Sequence, residues 1–243
     1  MTFKSNFIVL SHGRTGSTYV VSELNTHPEI RMYYELFHDS PDHREAVNGE
    51  KWESGSNAWD FIQRNVFNSL PEGRSTVGFK LFYFHLPLQD PVWKELQADQ
   101  SINLILLHRE NIFAGFVSEE RARVTNVWHP TETDKSYDHE VKITLDMVKA
   151  RRYFERNLER QRFGKNLVAD RDHLFMTYED LVMDATSTMA RMVKYLGVDV
   201  KDWRPSPFLT GSADRTRTVI MNIDEVSGFL AEKQALWMLE PYR

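Results

Sequence analysis

The sequence predicts an α/β fold in which a central parallel sheet is flanked by helices. Short apolar runs with the length of buried strands alternate along the 243 residues with segments of helical periodicity. The apolar runs end at polar residues, which is where sheets of this kind place their ligand sites. No internal repeat, low-complexity tract or Gly/Ser/Pro-rich linker interrupts the alternation, so we predict one domain over residues 1–243.

Four apolar runs are the predicted strands: residues 7–10, 77–84, 102–107 and 173–176. Apolar side chains three and four positions apart predict helices over residues 16–25, 59–70, 112–117, 141–163 and 189–196. Pro28 and Pro71 cannot continue a helix, and Gly197 is a typical C-terminal cap, so three of these helices have predicted ends.

The composition excludes several classes of protein and site. A chain that is 41% hydrophobic and 12% aromatic can bury a sizeable core, which argues against disorder. The absence of cysteine excludes disulfides, thiolate zinc sites, iron–sulfur clusters and a cysteine nucleophile. The net charge of −5 argues against a nucleic-acid partner. No apolar stretch is long enough to span a membrane and the N-terminus lacks a signal-peptide pattern, so we predict a cytoplasmic protein.

Two long polar stretches, residues 38–57 and 125–140, have few apolar anchors. Loops of this length inside a compact domain are more often functional or disordered than neutral. Two interpretations therefore stay open: disordered surface excursions, or lids that form an acceptor site. The adjacent residues Asp138, His139 and Glu140 point in different directions, so we interpret them as a solvated loop and predict no metal site.

The segment Ser11–Thr18 (SHGRTGST) follows the first predicted strand and opens the first predicted helix. Gly13 and Gly16 allow a tight turn that presents backbone N–H groups, and the helix N-terminus adds the positive end of its dipole. Arg14 adds a permanent cation whose forked geometry suits phosphate or sulfate oxygens. The segment therefore predicts an anion-binding loop. The alternative is an ordinary glycine-containing turn.

The spacing of this loop differs from that of the nucleoside-triphosphate loop, G-x-x-x-x-G-K-[ST]. Only two residues separate its glycines, and no lysine follows Gly16. The predicted strands end at His85 and at His108, and neither end carries the Asp that would hold Mg²⁺. A G-x-G-x-x-G fingerprint is also absent. These differences weaken a kinase or dehydrogenase interpretation.

Four segments, in order, resemble the sulfotransferases that use 3′-phosphoadenosine 5′-phosphosulfate (PAPS) as donor. They are FIVLSHGRTGSTYVVSEL, GFKLFYFH, LILLHRENIFAGFVSEERAR and FMTYEDLVMDATSTMARMVKYLGVD. The sequence is most similar to bacterial carbohydrate sulfotransferases of the nodulation-factor and trehalose type. The resemblance implies the P-loop-type fold of that family, PAPS as donor, adenosine 3′,5′-bisphosphate (PAP) as product and no metal.

The resemblance also implies how the 5′ end of the donor is held. Arg14 would contact the sulfuryl group, where a fixed cation stabilises the charge that develops on the leaving phosphate. The 5′-phosphate would be held by the N–H and hydroxyl donors of Thr15, Gly16, Ser17 and Thr18.

The 3′-phosphate would be bound by Arg109 and Ser118. These residues are nine positions apart, as in the nodulation-type members, whereas the cytosolic members place them eight apart. Tyr178 would contact the adenosine. A basic loop containing Arg215 and Arg217 would close over the 3′-phosphate, and the sequence does not distinguish between these two residues.

Sulfuryl transfer to an alcohol needs a base beside the sulfuryl group. Glu35, in the sequence YYELF, matches the glutamate that the trehalose-type enzymes use. The rival is His85, near the position where the cytosolic members place their catalytic histidine, with Lys80 earlier on the same strand. We prefer Glu35 as the base, and His85 stays the alternative.

A hydroxyl of a small molecule, and by resemblance a sugar hydroxyl on a glycan, glycolipid or disaccharide, is the predicted acceptor. The segment 141–165 has eight Lys or Arg against three Asp or Glu, and we interpret it as a solvated helix face. Alternatively, it attracts an anionic acceptor. Two other functions stay open: a P-loop kinase acting on a small molecule, and a nucleotide-binding module without catalysis. The sequence makes no prediction of oligomeric state.

Overall fold

The computed structural model describes residues 5–128, 140–200, 203 and 218–242. The strands are β1 (Ser5–Ser11), β2 (Ile30–Glu35), β3 (Thr76–Phe82), β4 (Ile102–His108), β5 (Val141–Ile143), β6 (His173–Thr177) and β7 (Thr218–Ile220). Five of them form the central sheet in the order β2-β3-β1-β4-β6, and β5 pairs with β7 in a second sheet. All neighbouring strands are parallel, so the predicted parallel sheet is confirmed.

Helices follow the strands along the chain. They are α1 (Ser17–Asn25), α2 (Ala58–Phe61), α3 (Val92–Ala98), α4 (Ile112–Thr125), α5 (Met147–Leu167), α6 (Tyr178–Met183), α7 (Ala185–Tyr195) and α8 (Ile223–Glu232). A π-helical turn, Ile62–Phe67, continues α2, and two 3-10 helices cover Pro41–His43 and Leu236–Tyr242.

Strand β1 is the centre of the core. Successive side chains of a strand point to opposite faces, and both faces of β1 are buried. Ile8 and Leu10 pack against α2, α3 and the C-terminal end of α5. Phe7 and Val9 pack against α1 and α7. This burial on both faces explains why β1 is a continuous apolar run in the sequence.

The sequence did not predict strand β2. Its residues, IRMYYE, mix polar and aromatic side chains, because β2 is the edge strand of the sheet and is only partly buried. Ile30 and Met32 are fully buried, while Arg31 and Glu35 stay partly exposed. No continuous apolar run marks such a strand.

The prediction of a helix from Val141 to residue 163 was wrong at its start. Val141–Ile143 is strand β5, and α5 begins at Met147 after the N-cap Asp146, whose carboxylate accepts hydrogen bonds from the next turn. Val141 and Ile143 of β5 are apolar like the core-facing residues of α5, so the sequence pattern did not separate the short strand from the helix. The predicted helix 59–70 is also shorter and ends as a π-helical turn at Phe67.

The loop 38–57 is ordered, which contradicts its interpretation as a disordered excursion. Arg44 is buried within it and donates hydrogen bonds to the carbonyl oxygens of His38 (2.6 Å) and Trp52 (2.7 Å). Its guanidinium also lies 4.8 Å from the centre of the Trp52 ring. Val47 joins the hydrophobic core. Most of the other predicted loop, residues 129–139, lies outside the described residues.

Candidate functional site

The carboxyl ends of three neighbouring strands bring the predicted site residues to one edge of the sheet. Ser11 of β1 is in register with Phe82 of β3 and with Leu107 of β4. The predicted anion-binding loop follows Ser11 directly, and the site segments after β3 and β4 begin at the same level. The sheet thus places one cluster of residues on each side of the loop.

The loop is held by its own hydroxyl groups. Thr15 is fully buried, and its hydroxyl donates to the carbonyl oxygen of His12 (3.0 Å) and lies 2.6 Å from the Ser11 hydroxyl oxygen. Ser11 Oγ also donates to the carbonyl oxygen of Leu107 on β4 (2.9 Å). The Thr15 side chain is therefore engaged inside the loop, so our expectation that its hydroxyl faces a ligand does not match this geometry.

The backbone of the loop leaves the start of α1 uncapped. Gly16 is the N-cap residue, has φ +78°, and provides no side-chain hydrogen bond to the helix. A Cβ at Gly16 would lie 3.3 Å from the side chains of Tyr178 and Leu181, so α6 packs directly against the loop. Arg14 also has a positive φ, 65°, which is uncommon for a residue other than glycine and is typical of functional sites. The first N–H groups of α1 are available for an anion.

On the β4 side of the loop lies a cluster of cationic side chains. Arg14 donates from Nε and Nη2 to the Ser118 hydroxyl on α4 (3.0 and 2.9 Å). Arg109, which is buried, donates from Nη1 to the Arg14 carbonyl oxygen (3.0 Å), and its guanidinium lies 4.0 Å from the Tyr178 ring centre. Burial lowers the pKa of Arg14, and the charges of Arg121 and Arg109 lower it further.

One atom of this cluster has no partner. Within residues 5–128 and the other described segments, Arg109 Nε is buried and makes no hydrogen bond. A buried donor without a partner is unfavourable, by about 1–3 kcal/mol. The cluster therefore has the charge and the free donor expected of an anion site, and it contains the four predicted residues Arg14, Arg109, Ser118 and Tyr178.

On the β3 side of the loop lies a carboxylate with a buried cation. Glu35, at the end of β2, is in register with Lys80 of β3. Its Oε1 accepts from Lys80 Nζ at 2.8 Å, and its Oε2 lies 3.4 Å from His85 Nε2. The Lys80 side chain is 1% exposed and the Glu35 side chain 20%. Lys80 Nζ also lies 3.5 Å from the Thr18 hydroxyl, which connects this cluster to α1.

Electrostatics keep Glu35 ionised. Burial alone would raise its pKa, but His85 and the Lys80 ammonium group outweigh burial and lower the pKa of Glu35 to about 2. Burial lowers the pKa of Lys80, against the opposing effect of Glu35. Burial likewise lowers the pKa of His85, so this imidazole is neutral at pH 7.

The tautomer of His85 follows from its contacts. Nδ1 accepts a hydrogen bond from the Phe82 backbone N–H (3.3 Å), so the proton of the neutral ring is on Nε2. That N–H faces Glu35 Oε2 at 3.4 Å, longer than a good hydrogen bond, and it makes no hydrogen bond among the residues that the structure describes. A neutral His85 is therefore a donor towards the site and cannot accept a proton at Nε2.

The geometry differs from the expected role of Arg14. We expected Arg14 to be the cation at the sulfuryl group, but its guanidinium is directed to Ser118, the predicted 3′-phosphate residue. The cation in contact with Glu35 is Lys80. Ser17, like Thr15, is buried. Arg215 and Arg217 lie outside the described residues.

Sequence reasoning missed two side chains at this site. His38 Nε2 lies 3.9 Å from Glu35 Oε2, and its position three residues after Glu35 was the only local signal. Gln161 on α5 donates from Nε2 to the Arg109 carbonyl oxygen (2.9 Å), and its Nε2 lies 3.3 Å from His12 Nε2. No local pattern relates α5 to the loop, so Gln161 could not be found from the sequence.

The described segments contain no group of three or more His, Asp or Glu side chains arranged to hold a metal ion. Within the same segments, no helix combines the length and apolarity needed to cross a membrane.

Comparison with solved structures identifies the fold. No family model and no curated protein matches the sequence. A sulfotransferase from Alicyclobacillus acidocaldarius is similar with a TM-score of 0.51 and 16% identity, over 98% of this chain and 96% of that chain. The sulfotransferase domain from the curacin biosynthetic pathway is similar with a TM-score of 0.52 and 14% identity, over 89% and 81% of the two chains. At these identities the similarity establishes a shared fold.

Proposed function

We propose that this chain, which has the fold of the sulfotransferases, transfers the sulfuryl group of PAPS to the hydroxyl of an acceptor alcohol and releases PAP. The observation that carries the proposal is the placement of two clusters on either side of one anion-binding loop. One contains Arg14, Arg109 and Ser118, and the other contains the Glu35–Lys80 pair. An anion site beside a carboxylate and a buried cation suits transfer from an anionic donor to an alcohol.

The residues present fit a nucleotide with phosphates at its 3′ and 5′ positions. The uncapped N-terminus of α1 and the left-handed Gly16 support a 5′-phosphate, because their N–H groups are unpaired within the helix. Arg109 and Ser118 support a 3′-phosphate, since the unpartnered Arg109 Nε would gain an acceptor. Tyr178 would pack against the adenosine beside the loop, where it already contacts Arg109.

Bound at this loop, PAPS would supply an electrophilic sulfur with the bisphosphate as leaving group. The acceptor oxygen forms a bond to sulfur while the bond from sulfur to the bridging phosphate oxygen breaks. The hydroxyl proton passes to Glu35 Oε2, because Oε1 is held by Lys80 at 2.8 Å. Lys80 stabilises the negative charge that moves from the acceptor oxygen to the leaving phosphate. The products are a sulfate ester, PAP and a proton on Glu35.

Glu35 is the better supported of the two predicted bases. It is ionised, whereas His85 is neutral and carries its proton on the nitrogen that faces the site. In this arrangement His85 donates, orienting either Glu35 or the incoming hydroxyl, and Glu35 accepts the proton.

A sugar hydroxyl on a glycan or glycolipid stays the predicted acceptor, with the ordered loop 38–57 as one wall of its site, and a cytoplasmic location stays a prediction. No geometry favours a small-molecule kinase or a binding module without catalysis. Mg²⁺-dependent ATP binding without affinity for PAP would indicate the kinase. Tight PAP binding without transfer to any alcohol would indicate the module.

The transfer is measured with ³⁵S-labelled PAPS and a panel of sugar, phenol and steroid alcohols. We expect labelled ester and PAP in equal amounts. Glu35→Gln should lower kcat by about 10²–10⁴-fold, since a positioned general base contributes that much, and should leave PAP binding intact. Glu72→Gln, which changes an exposed carboxylate in the turn before β3, is the matched control. Unchanged turnover in Glu35→Gln would remove the proposed base.

A further inference from the structure

A guanidinium group beside the site has no hydrogen-bonding or ionic partner in the part of the chain that the structure describes. Arg160 lies on α5, is half-buried, and makes no hydrogen bond or ion pair there. Burial lowers the pKa of Arg160 and the charge of Arg156 lowers it further, while Tyr153, Glu159 and Glu119 act in the opposite direction. Unpaired cations in partly desolvated positions are unfavourable, so they often mark a place where an anion binds.

Arg160 lies next to the site and, among the described residues, makes no hydrogen bond to Arg14, Arg109 or Ser118. Its neighbour Gln161 contacts His12 and the Arg109 carbonyl oxygen, which places this turn of α5 at the start of the loop. The Arg160 guanidinium lies 5.0 Å from the ring centre of Phe84, an exposed aromatic side chain at 39%. Large apolar side chains at the mouth of a site are typical of ligand contacts.

Phe84 connects Arg160 to the Glu35 cluster. The Phe84 ring centre lies 5.1 Å from those of Phe82 and His85. His85 in turn faces Glu35, and Lys80 Nζ lies 4.7 Å from the Phe82 ring centre. The Phe84 ring therefore contacts Arg160 directly and is connected to the Glu35 carboxylate through His85. A molecule that packs on the exposed part of Phe84 would have Arg160 and His85 as neighbours, with Glu35 beyond His85.

We propose that Phe84 and Arg160 form an acceptor subsite that selects alcohols bearing an anionic group, such as a carboxylate, phosphate or sulfate, on a ring that packs on Phe84. This inference rests on the proposed function and adds the acceptor class to it. The donor phosphates are accounted for by the loop, Arg109 and Ser118, so the Arg160 charge is left for the acceptor.

The test compares p-nitrophenyl β-D-glucoside with its 6-carboxylate (the glucuronide), 6-phosphate and 6-sulfate derivatives. Their dissociation constants are measured by calorimetry on PAP-saturated protein. We expect at least one anionic derivative to bind about tenfold more tightly than the neutral glucoside, as for a hydrogen bond to a charged group. The derivative preferred identifies which anion the subsite takes. In Arg160→Gln the preference should fall to about twofold or less, with PAP affinity unchanged.

The control is Arg162→Gln, which makes the same charge change at an exposed residue two positions along α5. This variant should still bind the anionic glucoside more tightly than the neutral one. Equal binding of all four glucosides to the wild type overturns the inference. So does an Arg160→Gln variant that loses PAP affinity, because the residue would then belong to the donor site. PAP binding to the wild type is measured first, before any glucoside is added. If the wild type binds no PAP, the proposed function itself is wrong.

Discussion

Lys80 carries a charge at a position that is almost completely buried. Its ammonium group is compensated by the Glu35 carboxylate at 2.8 Å, and neither residue is marked in the sequence as a pair. They meet because β2 and β3 are parallel neighbours with Glu35 opposite Lys80. Because Lys80 and Glu35 are both largely buried and contact each other, the effect of removing one on the free energy of unfolding should depend on whether the other is present.

A double-mutant cycle measures this dependence by urea unfolding. Glu35→Gln leaves the Lys80 ammonium buried without a carboxylate and should lower the free energy of unfolding by about 1–3 kcal/mol. Lys80→Met should have a smaller effect, because the remaining carboxylate reaches water. The double variant should lose less than the sum of the two. Additive losses would mean that the two side chains do not interact.

The pH dependence of kcat/KM distinguishes the two predicted bases. A general base must be unprotonated, so activity is lost as the pH falls through its pKa. Because the pKa of Glu35 is lowered to about 2, a Glu35 base predicts no acidic loss from pH 8 down to about pH 4. On the alkaline side, activity should fall as Lys80 loses its proton, below its ordinary pKa of 10.5. Lys80→Arg should remove this alkaline loss. An acidic loss centred below pH 6.5, the ordinary pKa of His85, and above about pH 4 would support His85 as the base instead.

At the scale of secondary structure, the sequence predicted those elements whose burial is uniform. Strands β1 and β4 are buried on both faces, so each is a continuous apolar run followed by a polar turn. Strand β2 is an edge strand with mixed side chains, and β5 is only three residues long. Arg14 and Arg109 were predictable as candidate site residues because each follows a strand that is buried on both faces. The Glu35–Lys80 contact and the role of α5 depend on strand register and helix packing, which no local pattern reveals.

The contact of α5 with Tyr83, the residue that follows β3, depends on the absence of a side chain. A Cβ at Gly164 would lie 2.1 Å from the Tyr83 hydroxyl oxygen, which lies 2.8 Å from His108 Nε2. Gly164→Ala should therefore displace Tyr83 and lower the free energy of unfolding by about 1–3 kcal/mol, as overpacking does. Gly228→Ala on α8 meets nothing within 4 Å and is the matched control. Thermal unfolding should show a lower Tm for Gly164→Ala, and an unchanged or higher Tm for Gly228→Ala. Equal Tm values would mean that α5 does not pack here.

At the scale of the whole molecule, an acidic chain of net charge −5 is proposed to bind a polyanionic nucleotide. The two facts are compatible because the cations are concentrated at one edge of the sheet. Arg14, Arg109 and Lys80 come from the ends of three neighbouring strands, and the helix dipole of α1 points to the same place. Local field, not net charge, decides what binds at such an edge.

Thermal unfolding in the presence of PAP, ATP with Mg²⁺, NAD or coenzyme A measures which nucleotide this edge recognises. PAP at a hundredfold its dissociation constant should stabilise the protein by about 2.7 kcal/mol, a rise in Tm of about 5–10 °C. ATP and NAD should give little shift. Arg109→Gln should lose most of the PAP shift relative to its own unliganded Tm. No shift with millimolar PAP, or a larger shift with ATP and Mg²⁺, would contradict a sulfotransferase donor site at this loop.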